Sequence, residues 1–373
     1  MPFQQEHPSK AAESTHALAS STEARPGVAT LPNLASLLER LRKSRPSLET
    51  TDDFPSEFLR DLAIWEQETE AIGSQLLHYY VALASSCLTT AFIMTQRHAA
   101  MRRLETSQNP RAHSDWLPRI RSGEAFATVG ISHLTTSRRH VLVPPVRVHW
   151  DGETGRLEGS IPWVTGAPHA QYIVAGAVDA KATGISSPEQ QYLIMLELPA
   201  SGIRRGPGMD LIALTSSCTD VVDLQDVLIS KDHVLHGPHE NVMAASNTGG
   251  AGGLQTSALA LGLSASAIEY LASESSHRPA LAEHARVLHL QWTELMACLL
   301  ENQPTLDANQ LRKRANDLAL DATHAALAAA KGAGFVVGHP VGRWCQEALF
   351  FLVWSCPQIV ADAHMCSFSG LQT

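Results

Sequence analysis

Near its C-terminus this chain sets Ser355 and Cys356 side by side, ahead of Pro357. A serine hydroxyl has too high a pKa to take a proton unaided. A cysteine ionises more readily, but only beside a positive group that lowers its pKa; otherwise Cys356 is a small packed residue before a proline. The run Lys331-Gly332-Ala333-Gly334-Phe335 and the loop Asn247 to Gly253 are both rich in glycine. The loop has the look of a phosphate cradle, but it follows no βαβ unit and lacks a GKS or GKT ending. It therefore reads as a flexible connection. Trp163 alone is a core residue type, and Arg278 closes a helical stretch where its charge favours the helix dipole. No set of His, Cys, Asp and Glu has metal-ligand spacing.

The elements that position these residues change texture twice. Leu34, Leu37, Leu38 and Leu41 recur at helical spacing, and Phe58 to Met94 holds two further amphipathic stretches. The small-residue block Ala82 to Phe92 suits a closely packed helix. From Gly123 short apolar or β-branched runs take over, at Ala125 to Gly130, Val141 to His149, Ile161 to Thr165, Tyr172 to Val178, Gln191 to Leu198 and Leu211 to Val227. Turn residues such as Asp151-Gly152 and Pro207-Gly208 separate them, as in a small barrel or sandwich. The helical period returns at Leu254 and holds to the end. Helices, then strands, then helices predict an α+β fold with segregated layers rather than an alternating Rossmann sheet. The divisions fall at 1–30 (a tail without order), 31–122 (helical), 123–235 (strands) and 236–373 (helical).

With 373 residues, 44% hydrophobic, the chain can bury a large core. Its net charge of −9 argues against nucleic acid as a partner. Six cysteines without CxxC spacing read as reduced thiols in a cytoplasmic protein. No apolar stretch is long enough for a membrane span, and the N-terminus has no basic start followed by an apolar block.

Four stretches and the Gly332/Gly334 turn resemble the acyl-CoA dehydrogenase family. They are Ala125 to His133, Pro162 to Ala170, Met209 to Ile229, and the helix Leu259 to Ser276 ending at His277-Arg278. Pro340, Arg343, Glu347 and Ala348 follow the glycine turn as in that family. The resemblance covers about residues 31 to 370 and implies an N-terminal helical domain, a central β-barrel and a C-terminal four-helix bundle. It implies FAD as cofactor, bound across subunits of a homotetramer or homodimer. Phe126 and either Val129 (by simple spacing) or Thr128 (shifted by one) then fall on the strand that meets the flavin. Trp163 becomes a wall over one flavin face, with Thr165 beside the ring. Arg278 meets the diphosphate, or alternatively is only a surface residue that favours the dipole at its helix C-terminus, and Gly332 and Gly334 line the neighbouring subunit's cofactor.

The departures matter as much as the matches. Ser355 stands where the family carries its catalytic glutamate, and the second family position falls near Gly252 or Gly253. Desaturation of a thioester needs a carboxylate to remove the α-proton. Glu347 is expected in an ion pair, and Trp354 replaces the histidine of related flavin monooxygenases. The expected function is an FAD-dependent oxidoreductase acting on CH–CH groups with an atypical or absent base. Its substrate would be an acyl-CoA, a carrier-protein thioester or a small metabolite. The alternatives are a monooxygenase fed reduced flavin by a partner reductase, and a catalytically silent member.

Overall fold

The computed structural model describes residues 34–44, 51–69, 72–135, 146–181, 189–246, 253–301 and 305–371. The expected tail at 1–30 lies outside them, as do residues 247–252 of the glycine loop.

Helices open the chain: α1 (Leu34–Ser44), α2 (Ser56–Thr69), α3 (Ile72–Ser86), α4 (Leu88–Glu105) and the short α5 (Leu117–Arg121). In α1 the leucine stripe is inward, with Leu34, Leu38 and Leu41 buried, as the spacing predicts. The strand region follows: β1 (Ala127–Gly130), a helical turn α6 (Ser132–Thr135), β2 (Arg147–Asp151), β3 (Thr154–Val164), β4 (Tyr172–Asp179), β5 (Gln191–Glu197), β6 (Ile203–Arg205), β7 (Asp220–Ser230) and β8 (Val234–His239). The last helices are α7 (Val242–Ala245), α8 (Leu254–Ser275), α9 (Leu281–Leu300), α10 (Ala308–Ala330), α11 (Pro340–Leu349) and α12 (Gln358–Ser369).

The strand expectations need correction. Leu211 to Thr219 is not strand: Leu214 and Cys218 take left-handed backbone around a single 3-10 turn, and β7 begins only at Asp220. β6 and β8 were not foreseen: β6 is three residues long with two arginines, and His236, Gly237 and Pro238 break the apolar pattern of β8.

The eight strands form one sheet in the order β6-β7-β3-β2-β4-β5-β8, with β1 also paired to β4. β1 and β2 both run parallel to β4, and the remaining pairs are antiparallel. Side chains alternate across a strand, and β4 uses both faces. Ile173, Ala175 and Ala177 join an inner core with Ile161, Val164, Ile194 and Val222. Tyr172 and Val174 join a second core with Ala127 and Val129, against Ala100 and Leu104 of α4 and Trp116. This double burial explains why β4 reads as a continuous apolar run.

A third core unites the first and last helices. α8 is buried along most of its length. Its Ala, Ser and Gly content lets Leu83 of α3, Leu295 of α9 and Leu318 of α10 approach it in a single cluster. Burying side chains of this size contributes about 1.5–3 kcal/mol each.

Candidate functional site

At the end of β3 the backbone departs from the regular ladder, with a register irregularity between Ile161 and Val164. Trp163 sits at this point with φ 59°, in the left-handed region, and its ring is 58% exposed. A bulky residue held there is strained, and such strain collects at functional sites. Thr165, two residues on, is buried and accepts a hydrogen bond from Thr219 Oγ1 at 3.4 Å; Thr219 in turn is 2.8 Å from Ser217 Oγ. Exposed Trp163 is thus two residues along the chain from a short run of buried hydroxyls.

The turn after Thr165 is built tightly. Gly166 has φ 67°, and a Cβ there would lie 2.5 Å from the Phe126 ring, so only glycine fits. Its N–H donates to Ser217 O at 2.8 Å, and the next N–H donates to Cys218 O at 3.2 Å. Arg205 fastens the far side, donating from Nη1 to the carbonyls of Pro168 and Ala170 at 3.0 Å each. Neither Arg205 nor the Thr219–Ser217 pair was visible in the sequence, because each reaches the turn from a distant strand or loop.

β1 abuts β3: a Cβ on Gly130 would lie 2.5 Å from Ile161. Ala127 and Val129 point into the helical core, leaving Thr128 on the opposite face of the strand. Thr128 is fully buried, and its Oγ1 has no hydrogen-bond partner among the described residues. Of the two alternatives from spacing, Thr128 brings a hydroxyl and Val129 brings none. Phe126 packs edge-on to Phe54 at 5.5 Å, and its N–H donates to Gln171 Oε1.

The structure brings Arg278 and the glycine turn together. Arg278 Nη1 donates to Ala329 O at 2.7 Å, just ahead of the 3-10 turn Lys331–Phe335, while Nη2 bonds Glu274 at 2.5 Å. The guanidinium is thus fixed at the mouth of the turn. Lys331 enters the turn with φ 55°. Gly334 is buried, and a Cβ there would lie 2.8 Å from Ala330 Cβ; Gly332 is open, with nothing within 4 Å. Phe335, Val336 and Val337 beyond it are 87%, 63% and 93% exposed.

Ser355 follows α11 with φ 45°. Arg312 of α10, fully buried, holds the preceding residue by donating from Nη2 to Trp354 O at 2.9 Å. Asn316 donates to Phe351 O at 3.0 Å. Trp354 stacks on Phe350 at 5.1 Å, and Phe92 of α4 meets both edge-on at 5.0 Å. Arg312 is the positive neighbour that Cys356 needs, yet burial outweighs it and the thiol is pushed up rather than down. Cys356 is therefore not an ionised base.

Glu347 is in the expected ion pair, 3.5 Å from Arg343. Each histidine near these motifs has a structural partner. His133 Nε2 meets Gly176 O at 3.0 Å, His169 stacks on Phe54 at 4.2 Å, His339 Nδ1 accepts from Val341 N–H, and His364 lies 3.3 Å from Asp317. Gly253 occupies the N-cap of α8, and Gly252 lies outside the described residues. Among the described residues no group of three or more His, Cys, Asp or Glu is placed to hold a metal ion, and no helix is long and apolar enough to cross a membrane.

No family model matches the chain. The mitochondrial short-chain specific acyl-CoA dehydrogenase of Bos taurus is 22% identical over 310 residues, which cover 76% of this chain and 73% of that protein. Among solved structures, FkbI for biosynthesis of the methoxymalonyl extender unit of Fk520 superposes with a TM-score of 0.72 at 17% identity, covering 89% of this chain and 99% of that one. Butyryl-CoA dehydrogenase from Megasphaera elsdenii superposes with a TM-score of 0.69 at 16% identity, again covering 89% and 99%.

Proposed function

We propose, for a chain that has the acyl-CoA dehydrogenase fold, a flavin-dependent oxidoreductase that acts on a C–H bond and uses no carboxylate at the Ser355 position. The observation that carries this reading is Trp163: a large ring, 58% exposed, held in left-handed backbone two residues along the chain from buried hydroxyls. An exposed indole at the end of a strand stabilises little in the folded chain, whereas it offers a flat ring a stacking surface and a shield from water. The residues present fit FAD. Trp163 would cover one ring face, and Thr165, backed by Thr219 and Ser217, would stand at its polar edge. Arg278 and the Lys331–Phe335 turn would meet the diphosphate of a second copy. FAD, when bound, supplies the acceptor for a hydride.

At the two family positions the chain supplies no carboxylate base. Ser355 has a hydroxyl of high pKa, and burial holds the Cys356 thiol protonated at neutral pH. The substrate must therefore have an acidic C–H, or the proton must leave to a group outside the two family positions. A thioester falls under the second condition, since its α-proton is too weakly acidic to leave without a base. The bovine relative is named for acyl-CoA substrates, which makes short acyl-CoA thioesters the first compounds to try.

The test is anaerobic titration of the FAD-reconstituted protein with short acyl-CoAs, followed by absorbance. Bleaching supports a dehydrogenase. Retained colour, with product formed only when a reductase and oxygen are added, would transfer the reading to a monooxygenase. Retained colour under every condition would leave the chain a silent member of its fold.

A further inference from the structure

A cleft of about 530 Å³ opens between the first two turns of α2 and the 166–170 turn. Trp163 does not line it, and nothing in the proposed reaction uses it. Its size lies within the roughly 300–1,000 Å³ common to small-molecule sites.

Its walls favour an anion. Arg60 and Arg205 both line it. Arg60 is exposed at the rim and meets no carboxylate among the described residues. Among the described residues, Arg205 bonds backbone carbonyls alone, those of Ala167, Pro168 and Ala170. The N-terminal end of α2, which carries the positive pole of the helix dipole, adds to them. The opposing charges are fewer. Glu124 is bound by Arg119 at 2.7 Å, which leaves Glu57. Arg97 at the floor is neutralised by Glu66 and adds no net charge.

The walls also favour a flat ring. Phe54 and His169 stack in parallel, 4.2 Å apart with 7° between planes, and Phe126 stands edge-on to Phe54. The His169 imidazole is kept below its usual pKa by burial and by the neighbouring Arg205, so it faces the cleft as a neutral aromatic surface near pH 7.

We propose that this cleft binds a small organic anion carrying a planar ring, an aromatic carboxylate or phosphate monoester. Two guanidiniums would meet the anionic oxygens by charge-assisted hydrogen bonds, and the aromatic wall would hold the ring.

Isothermal titration of the full chain with benzoate, phenyl phosphate, cyclohexanecarboxylate and benzyl alcohol tests this, alongside NMR of the His169 ring protons. The expected result is saturable one-to-one binding of benzoate or phenyl phosphate that shifts the His169 resonances. The saturated-ring acid should bind several-fold more weakly, and the neutral alcohol not at all. The tighter of the two aromatic anions identifies the oxyanion class. Arg60→Glu should weaken binding at least tenfold, and because Arg60 is exposed its thermal unfolding should match the native protein. Absence of binding by both anions, equal binding by Arg60→Glu, or binding that leaves His169 unmoved would overturn the proposal. None of these outcomes bears on flavin binding, which is read separately.

Discussion

Trp163, Lys331 and Ser355 share a property that their positions in the sequence do not announce: each is a non-glycine residue with positive φ. Each also falls in a stretch singled out by its resemblance to a known family. If Trp163 is held in that conformation for stacking, Trp163→Ala should weaken flavin binding at least tenfold, measured by fluorescence titration. Because the ring is largely exposed, the same change should move stability by no more than about 0.5 kcal/mol. Ser355→Ala and Cys356→Ser should each leave the rate of flavin reduction by substrate within about threefold, since neither group is ionised to act as a base. A hundredfold loss in either variant, read by stopped-flow absorbance, would show that the base had been misassigned. The stretches holding Phe126, Trp163, Arg278 and Gly334 could be singled out in the sequence because each is a short run of fixed spacing. Arg205, Thr219 and Arg312 were not, because their roles depend on which distant backbone carbonyl or hydroxyl they meet.

Among the elements, α2, α3 and α4 are tied by a buried polar network. Glu66 accepts from Arg97 at 2.5 Å and lies 2.9 Å from His98 Nε2, and His98 Nδ1 meets Tyr80 Oη at 2.7 Å. Burial alone would push the Glu66 carboxyl up, but His98 and Arg97 outweigh it and hold it at about 2, below its usual 4.5. A lowered carboxylate stabilises the fold above its unfolded pKa and loses that contribution as pH falls through the folded value. Thermal unfolding should therefore drop between about pH 4.5 and pH 2, and the Glu66→Gln variant should lack this component of the drop. At pH 7 that variant should be less stable by about 3–5 kcal/mol, because Arg97 is left buried without its partner. An unchanged acid limb would show that the network is not ionic. Helical periodicity revealed α1 and the long helices of the bundle, and short apolar or β-branched runs set off by turn residues revealed most of the strands. Leu211 to Thr219 misled because an apolar run of β-like composition forms a left-handed loop around a 3-10 turn, set by tertiary contacts such as Ser217 O with Gly166 N–H.

At the scale of the whole molecule, the order helices, strands, helices was readable from texture alone, and the architecture follows it. The exposure of Phe335, Val336 and Val337 was not readable, since apolar residues in a turn look like core until their exposure is known. Phe335, Val336 and Val337 form a continuous exposed apolar segment beside Arg278's anchor. Ile359, Met365 and Phe368 on α12 are exposed as well. If a second copy covers the turn, light scattering should show a dimer or tetramer, and Phe335→Asp with Val337→Asp should shift it to monomer while reducing flavin affinity in parallel. A native monomer would remove the shared-site part of the account. The central claim is that the Trp163 face holds a flavin, and the most direct measurement is the visible spectrum of the purified chain after incubation with FAD and removal of free cofactor. The account predicts a bound-flavin spectrum in the native protein that is lost or strongly reduced in Trp163→Ala. A folded native protein that retains no flavin, or a Trp163→Ala variant that retains as much as native, would contradict it.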